Sequence, residues 1–288
     1  MKLIVRADDY GYTDVNNLGV LKAVDDGIVT SVDIMLDTPG TLDALERIKN
    51  YPHISVGWHA HFWGSPVLDP SLVPSMVNAD GKFKFRHDMS LKKTCKYEEV
   101  YKESKAQIER CIFILGKAPD TAWIQNDGSE FERARKQICK EYGIAINIAS
   151  KPNKEGIIVP ADEKYLPLDI YMPNQPSTVY KICYSEQYSE RMKYDPVKYY
   201  TEDEADLLKR NIVLTAWHPG YLDDYIFSES SMGECRVMDI KALCNDELKA
   251  WIKGNKVELI NHRDAIYGTN EYQNYLKHIG SDLYIRKE

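Results

Sequence analysis

Ile4-Val5-Arg6-Ala7-Asp8-Asp9-Tyr10-Gly11 reads as a short apolar strand that stops at two adjacent carboxylates and a glycine turn. Neighbouring acids at a strand end repel each other and cost desolvation, so something must compensate them. A bound cation is the simplest candidate, and with one carboxylate on a metal the other is free to act as a base. A solvated loop with a helix-capping Asp is the competing reading, and the rest of the chain weighs against it.

Outward from this strand, strand and helix signals alternate. Strands are predicted at 2–7, 29–36, 54–61, 122–125, 144–149, 212–217 and 257–261, with helices at 14–26, 41–50, 96–116, 129–142, 196–210 and 238–252. This alternation implies parallel strands with helical crossovers, in a (β/α) barrel or an open doubly wound sheet. No GxGxxG follows the first strand and no P-loop is present. Residues 62–93 and 150–193 lack periodicity, and insertions of that length in a compact domain are usually functional loops. With no repeat and no Ser/Gly-rich linker, 1–288 reads as one α/β domain whose polar tail wraps over the barrel.

The bulk numbers set bounds. A net charge of −7 argues against a nucleic-acid or anionic-membrane surface. No apolar run approaches the roughly 18 residues of a membrane span, and no signal peptide is visible, so the cytoplasm is the expected location. The six cysteines include no CxxC pair and read as reduced core residues. Twenty tyrosines and five tryptophans suit a sugar-binding cleft, and equally suit half-buried strands.

Side chains with chemistry collect at strand ends, and in a (β/α) barrel those ends converge on one face. Asp8 and Asp9 close the first strand, His59 and His61 the third, Asn126 and Asp127 the next, and His218 a later one. His-x-His on a strand places both rings on one side, and imidazoles with carboxylates suit zinc, manganese, iron or nickel. His218 stands before Pro219-Gly220-Tyr221, a turn that fixes its direction and suits a general acid.

Together these residues resemble the YdjC-like carbohydrate deacetylases, a family that includes chitooligosaccharide deacetylases. Its opening Ala-Asp-Asp-Phe-Gly is matched by Ala7-Asp8-Asp9-Tyr10-Gly11, and its Asn-rich helix by Asn16 and Asn17. Gly27-Ile28-Val29-Thr30-Ser31, Gly57-Trp58-His59 and His218-Pro219-Gly220-Tyr221 follow in the family's order, over roughly residues 2–265. The resemblance implies a (β/α) barrel of about seven strands with a divalent metal (zinc, magnesium or manganese) at its mouth. It implies Asp9 and His59 as ligands, Asp8 as general base and His218 as acid.

Two departures stand out. Where the family carries its third ligand, in Asp-Ser-His-x-His, this chain has Ile124-Gln125-Asn126-Asp127-Gly128-Ser129-Glu130. Asp127, or His61, is the replacement candidate. Arg6 stands where the family usually has Asn; a guanidinium there lowers the pKa of the Asp pair and points to an anionic substrate such as a phosphorylated sugar.

The function expected is metal-dependent removal of N-acetyl groups from amino sugars or oligosaccharides. The metal polarises the carbonyl, Asp8 takes a proton from water and His218 protonates the leaving amine. Arg6, Trp63 and Tyr221 contact the sugar, with the two long loops around it. The alternatives are a metal-independent glycosidase on a (phospho)disaccharide, with Asp127 or Glu130 opposite Asp8, and a non-catalytic sugar-binding relative. The partner is a small-molecule carbohydrate, neither nucleic acid nor membrane, with a homodimer as the candidate assembly.

Overall fold

A computed structural model describes all residues except 154, 160, 162–167, 176–178, 204 and 287–288. Ten strands occur among the described residues: β1 (Lys2–Tyr10), β2 (Ser31–Ile34), β3 (Ser55–Trp58), β4 (Thr121–Ala122), β5 (Ala145–Ile146), β6 (Lys151–Pro152), β7 (Ile158–Val159), β8 (Ile170–Tyr171), β9 (Ile212–Trp217) and β10 (Glu258–Leu259). The helices are α1 (Asp14–Asp25), α2 (Thr41–Ile48), α3 (Tyr97–Leu115), α4 (Glu130–Tyr142), α5 (Tyr188–Arg191), α6 (Pro196–Thr201), α7 (Asp224–Glu229), α8 (Glu234–Leu243), α9 (Asp246–Gly254), α10 (His262–Tyr267) and α11 (Glu271–His278).

Seven parallel strands run in the order β5-β4-β3-β2-β1-β9-β8, and β10 pairs with the start of β1. The sheet curls on itself. Just past β5, Ser150 forms a parallel bridge with Tyr171 of β8, with hydrogen bonds of 2.9 and 2.8 Å, bringing the two edges together. The fold is thus a (β/α) barrel-like α/β architecture. β6 and β7 form a separate antiparallel hairpin.

The two faces of β1 show how the sequence sorts itself. Leu3, Val5 and Ala7 join the large core beneath the helices, while Ile4 packs in the smaller cluster with Leu214, Ala216, Ile170 and Ile260. Period-two alternation therefore sends Ile4, Arg6 and Asp8 to the opposite face from Leu3, Val5 and Ala7. The register against β2 then shifts between Ala7 and Tyr10, and Asp9 takes a positive φ of 62°. Such a bulge re-aims a side chain. It leaves Tyr10 in the helix-side core and brings Asp9 to the same site as Asp8.

Several predicted boundaries shift. The strand expected at 54–61 ends at Trp58, so His59 and His61 lie beyond it. The helix expected at 196–210 stops at Thr201, before residue 204, which is outside the described residues. The helix expected at 238–252 is two helices, because Asn245 caps a new N-terminus through Glu247 and Leu248. The 150–193 stretch holds β6, β7, β8 and α5, and its residues 154, 160, 162–167 and 176–178 lie outside the described residues. The tail packs at the strand starts, with the Tyr272 hydroxyl donating to the Val29 carbonyl and His53 stacked on Tyr275. It therefore lies at the end away from the acidic strand tips. The reading of all cysteines as reduced is corrected: Cys183 and Cys235 form a disulfide, tying the segment before α5 to α8. No described helix is long and apolar enough to cross a membrane.

The turn after β9 is locked onto α1. A Cβ on Gly220 would stand 1.7 Å from Asn16 Nδ2, and one on Gly19 would stand 2.3 Å from the Tyr221 nitrogen. Close approach of the two backbones thus fixes where His218 leaves the sheet. Gly220→Ala is expected to cost about 1–3 kcal/mol by overpacking, read as a lower urea midpoint. Adding Asn16→Ala should recover part of that loss, because the two sites share one contact.

Candidate functional site

The tips of β1, β2, β3 and β9 meet at one end of the barrel. Asp8, Asp9, Asp33 and His59 are all buried there. Gly57 makes this possible: a Cβ at that position would lie 2.0 Å from Asp33 Oδ1, so only glycine lets the Asp33 carboxylate cross β3.

Two arginines neutralise the acids. Arg6 grips Asp8 with two hydrogen bonds, Nε to Oδ1 at 2.5 Å and Nη2 to Oδ2 at 2.9 Å, and its Nη1 lies 3.3 Å from Asp33 Oδ2. From α8, Arg236 Nη2 donates to Asp9 Oδ2 at 2.6 Å. Burial alone would raise the Asp9 carboxyl, but Arg236 first, then His59, hold it well below the usual carboxylate range. Asp33 is likewise lowered against its burial, chiefly by Arg6. Arg6 is therefore committed to acids of its own sheet, which bears on its expected role as a substrate contact.

Three atoms remain that suit a cation. Ligand atoms of Asp9, His59 and His61 lie within 4.8 Å of one another, as do those of Asp8, Asp33 and His59. His59 Nε2 and Asp9 Oδ1 are both buried and 3.1 Å apart, an ion pair when the imidazole is protonated, but without well-aligned hydrogen-bond geometry between them. A proton or a metal ion can bridge such facing atoms, and two imidazoles with one carboxylate suit zinc or a late transition metal better than magnesium. His59 Nδ1 faces Asp33 Oδ2 at 3.7 Å, an outer partner of the kind that orients ligating histidines. Burial lowers His59, but Asp33 and Asp9 outweigh it and raise the imidazole to about 10. His61 is pushed well down, first by burial and then by the charge on His59.

The His-x-His pair meets differently from the strand geometry expected. The His61 N–H donates back to the His59 carbonyl at 2.9 Å, and Phe62 follows with a φ of 61°. This tight turn sets the rings edge to face, 4.1 Å apart. Trp63 stacks on His61 at 3.9 Å, and the Arg86 guanidinium sits 4.4 Å from the same ring centroid. Trp63 thus buttresses His61 and is itself in contact with Arg86.

Asp127 stands apart from this group. It is exposed on the turn before α4, where its Oδ1 accepts from the Ser129 N–H at 2.9 Å. His218 lies at the site, with its Nδ1 buried and without a hydrogen bond. Burial lowers its pKa, against the pull of Asp9 and Asp8. Its own N–H donates to Asp239 Oδ2 at 2.9 Å. Asp239, pushed up to about 7 by burial, also accepts from Tyr194 at 2.6 Å and Tyr180 at 3.2 Å. Tyr221 follows in the same turn, half-buried beside α1.

Sequence reasoning missed Arg236, Asp239 and Asp33. The first two lie on a helix rich in charged residues, which reads as a solvated face. For Asp33 a signal existed: a lone carboxylate inside the apolar run 29–36 is costly unless paired.

The profile of the family described as YdjC-like protein matches residues 2–254. A carbohydrate deacetylase 2 from Listeria innocua is 28% identical over 269 residues, covering 92% of this chain and 98% of the relative. A carbohydrate deacetylase from Brevibacillus brevis is 28% identical over 263 residues, covering 90% of this chain and 98% of the relative. In three dimensions, a candidate cellobiose-phosphate cleavage protein from Enterococcus faecalis superposes with a TM-score of 0.67 at 22% identity, over 91% of this chain and 98% of that one. The last likeness concerns the fold alone.

Removing Arg236 leaves Asp9 buried against fewer positive charges. Arg236→Met is expected to cost about 3–5 kcal/mol in metal-free protein, the usual penalty for breaking a buried ion pair from one side. Urea denaturation with and without zinc checks this. Zinc should return more stability to the variant than it adds to the wild type.

Proposed function

We propose that this chain, which belongs to the YdjC-like protein family, is a divalent-metal carbohydrate deacetylase that hydrolyses N-acetyl groups on amino sugars. The observation that carries the reading is the buried pair Asp9 Oδ1 and His59 Nε2, 3.1 Å apart, with a ligand atom of His61 within 4.8 Å of them. The carbohydrate deacetylase names of relatives that align over nearly their whole length support the substrate class.

Asp9, His59 and His61 would hold the ion. When bound, it supplies Lewis-acid polarisation of the acyl carbonyl and a more acidic water. Asp8 is the proposed base. Arg6 fixes its carboxylate plane, and each oxygen keeps a lone pair beyond the one that accepts from Arg6. Its membership of the second cluster, whose Asp8, Asp33 and His59 atoms lie within 4.8 Å of one another, supports that role. His218 is the proposed acid. Neutral at rest, it takes over the proton that Asp8 removes from water and passes it to the departing amine, leaving both groups as they began, and the Asp239 bond to its backbone N–H holds the turn that aims it. Tyr221, on the same turn, is the proposed sugar contact.

Metal analysis tests the assignment. After dialysis against zinc or manganese, about one ion per chain is expected in the wild type and in Asp127→Ala, and none in His59→Ala or His61→Ala. Asp8→Asn should keep the ion while acetate release from N-acetylated oligosaccharides falls at least about a hundredfold. A wild type that takes up neither metal would overturn the reading, and an unimpaired Asp8→Asn would remove Asp8 from its role.

A further inference from the structure

Beside His61 opens a cavity of about 440 Å³, whose walls include Lys92, Arg135, Lys151, Trp123, Asn126 and Phe131. Lys92 comes from the long 62–93 insertion and Arg135 from α4, and they are only 8% and 4% exposed. Buried cations are normally paired with carboxylates, since an uncompensated buried charge costs several kcal/mol. Among the described residues neither has such a partner. The Lys92 ammonium sits 4.9 Å from the Phe131 ring centroid; burial first, then the charge on Arg135, lower its pKa to about 7 against the pull of Asp37. Arg135 spends one bond, of 2.8 Å, on the Trp123 carbonyl, and its Nε is buried with no acceptor.

Nearby acids are engaged elsewhere. Glu132 pairs with Lys136 at 2.6 Å and caps the turn at Asp127, while Asp127 bonds Ser129. At the rim, the exposed Lys151 places its ammonium 4.7 Å from the Trp123 ring centroid. The cavity thus holds a buried guanidinium with an N–H in search of an acceptor, a buried lysine whose ammonium an anion would stabilise, and a third basic group at its mouth.

We propose that this cavity is an oxyanion subsite in which Lys92 and Arg135 receive a phosphate or carboxylate group carried on the sugar, next to the Asp9–His59–His61 group. The role foreseen for Arg6 as the receptor of an anionic substrate passes to this pair, because Asp8 and Asp33 already neutralise Arg6. The assignment rests on the deacetylase reading for the sugar but not for the anion, which the cavity recognises by charge and fork geometry.

Calorimetric titration of the full-length protein with glucose 6-phosphate, glucuronate and glucose tests it. At least one of the two anions should bind about tenfold or more tightly than glucose. Tighter binding of glucose 6-phosphate assigns a phosphate, and tighter binding of glucuronate a carboxylate. Lys92→Met and Arg135→Gln should each abolish most of that preference. His59→Ala should keep it, which separates the subsite from an anion sitting on a bound metal and from any failure of the deacetylase reading. Lys92→Met removes an uncompensated charge and should fold; its melting temperature, unlike that of the wild type, should not rise with the preferred anion. Equal binding of anions and glucose, an unaltered preference in both cation variants, or its loss in His59→Ala would overturn the proposal.

Discussion

The pairing of two buried arginines with three buried carboxylates is the constraint around which this barrel end is built. Asp8, Asp9 and Asp33 would repel one another and resist desolvation if left alone. Arg6 spans Asp8 and Asp33 from within the sheet, and Arg236 reaches Asp9 from a helix 227 residues later in the chain. That second bond ties the first strand to α8, which the Cys183–Cys235 disulfide also anchors. Buried ion pairs of this kind add little net stability, because their attraction mostly repays desolvation. What they fix is position: the oxygens that face His59 and the open end of the barrel are held whether or not a ligand is present.

How much of this was legible follows from what each residue reports locally. The parallel strands announced themselves through β-branched runs, and the strand-end clusters pointed to one face because barrel topology gathers them. The bulge at Asp9 was not legible. Strict alternation would have sent Asp9 to the helix side, and only the register shift against β2 brings it beside Asp8. The His-x-His pair was found for a partly mistaken reason, since a tight turn rather than a strand joins its rings. Arg236 and Lys92 were invisible because lysine and arginine among charged neighbours are normally solvated. Their burial comes from tertiary packing, which periodicity does not encode.

The charge balance at the barrel mouth ties these groups together. Three carboxylates against two guanidinium groups leave one negative charge, which falls on the side of His59. The imidazole answers it: despite burial, Asp33 and Asp9 raise it to about 10, so the metal-free protein keeps a proton there. A divalent ion bound as proposed would exchange for that proton, because both would compensate the same Asp9 oxygen and ligating histidines bind in their neutral form. His61, already driven to the neutral form by burial and by the charge on His59, needs no such exchange. The site therefore does not have to reorganise its acids to change occupants. On the proposed reading, proton and metal would be alternative counter-ions within one fixed frame of arginines, and that frame is what β1, β2 and α8 supply.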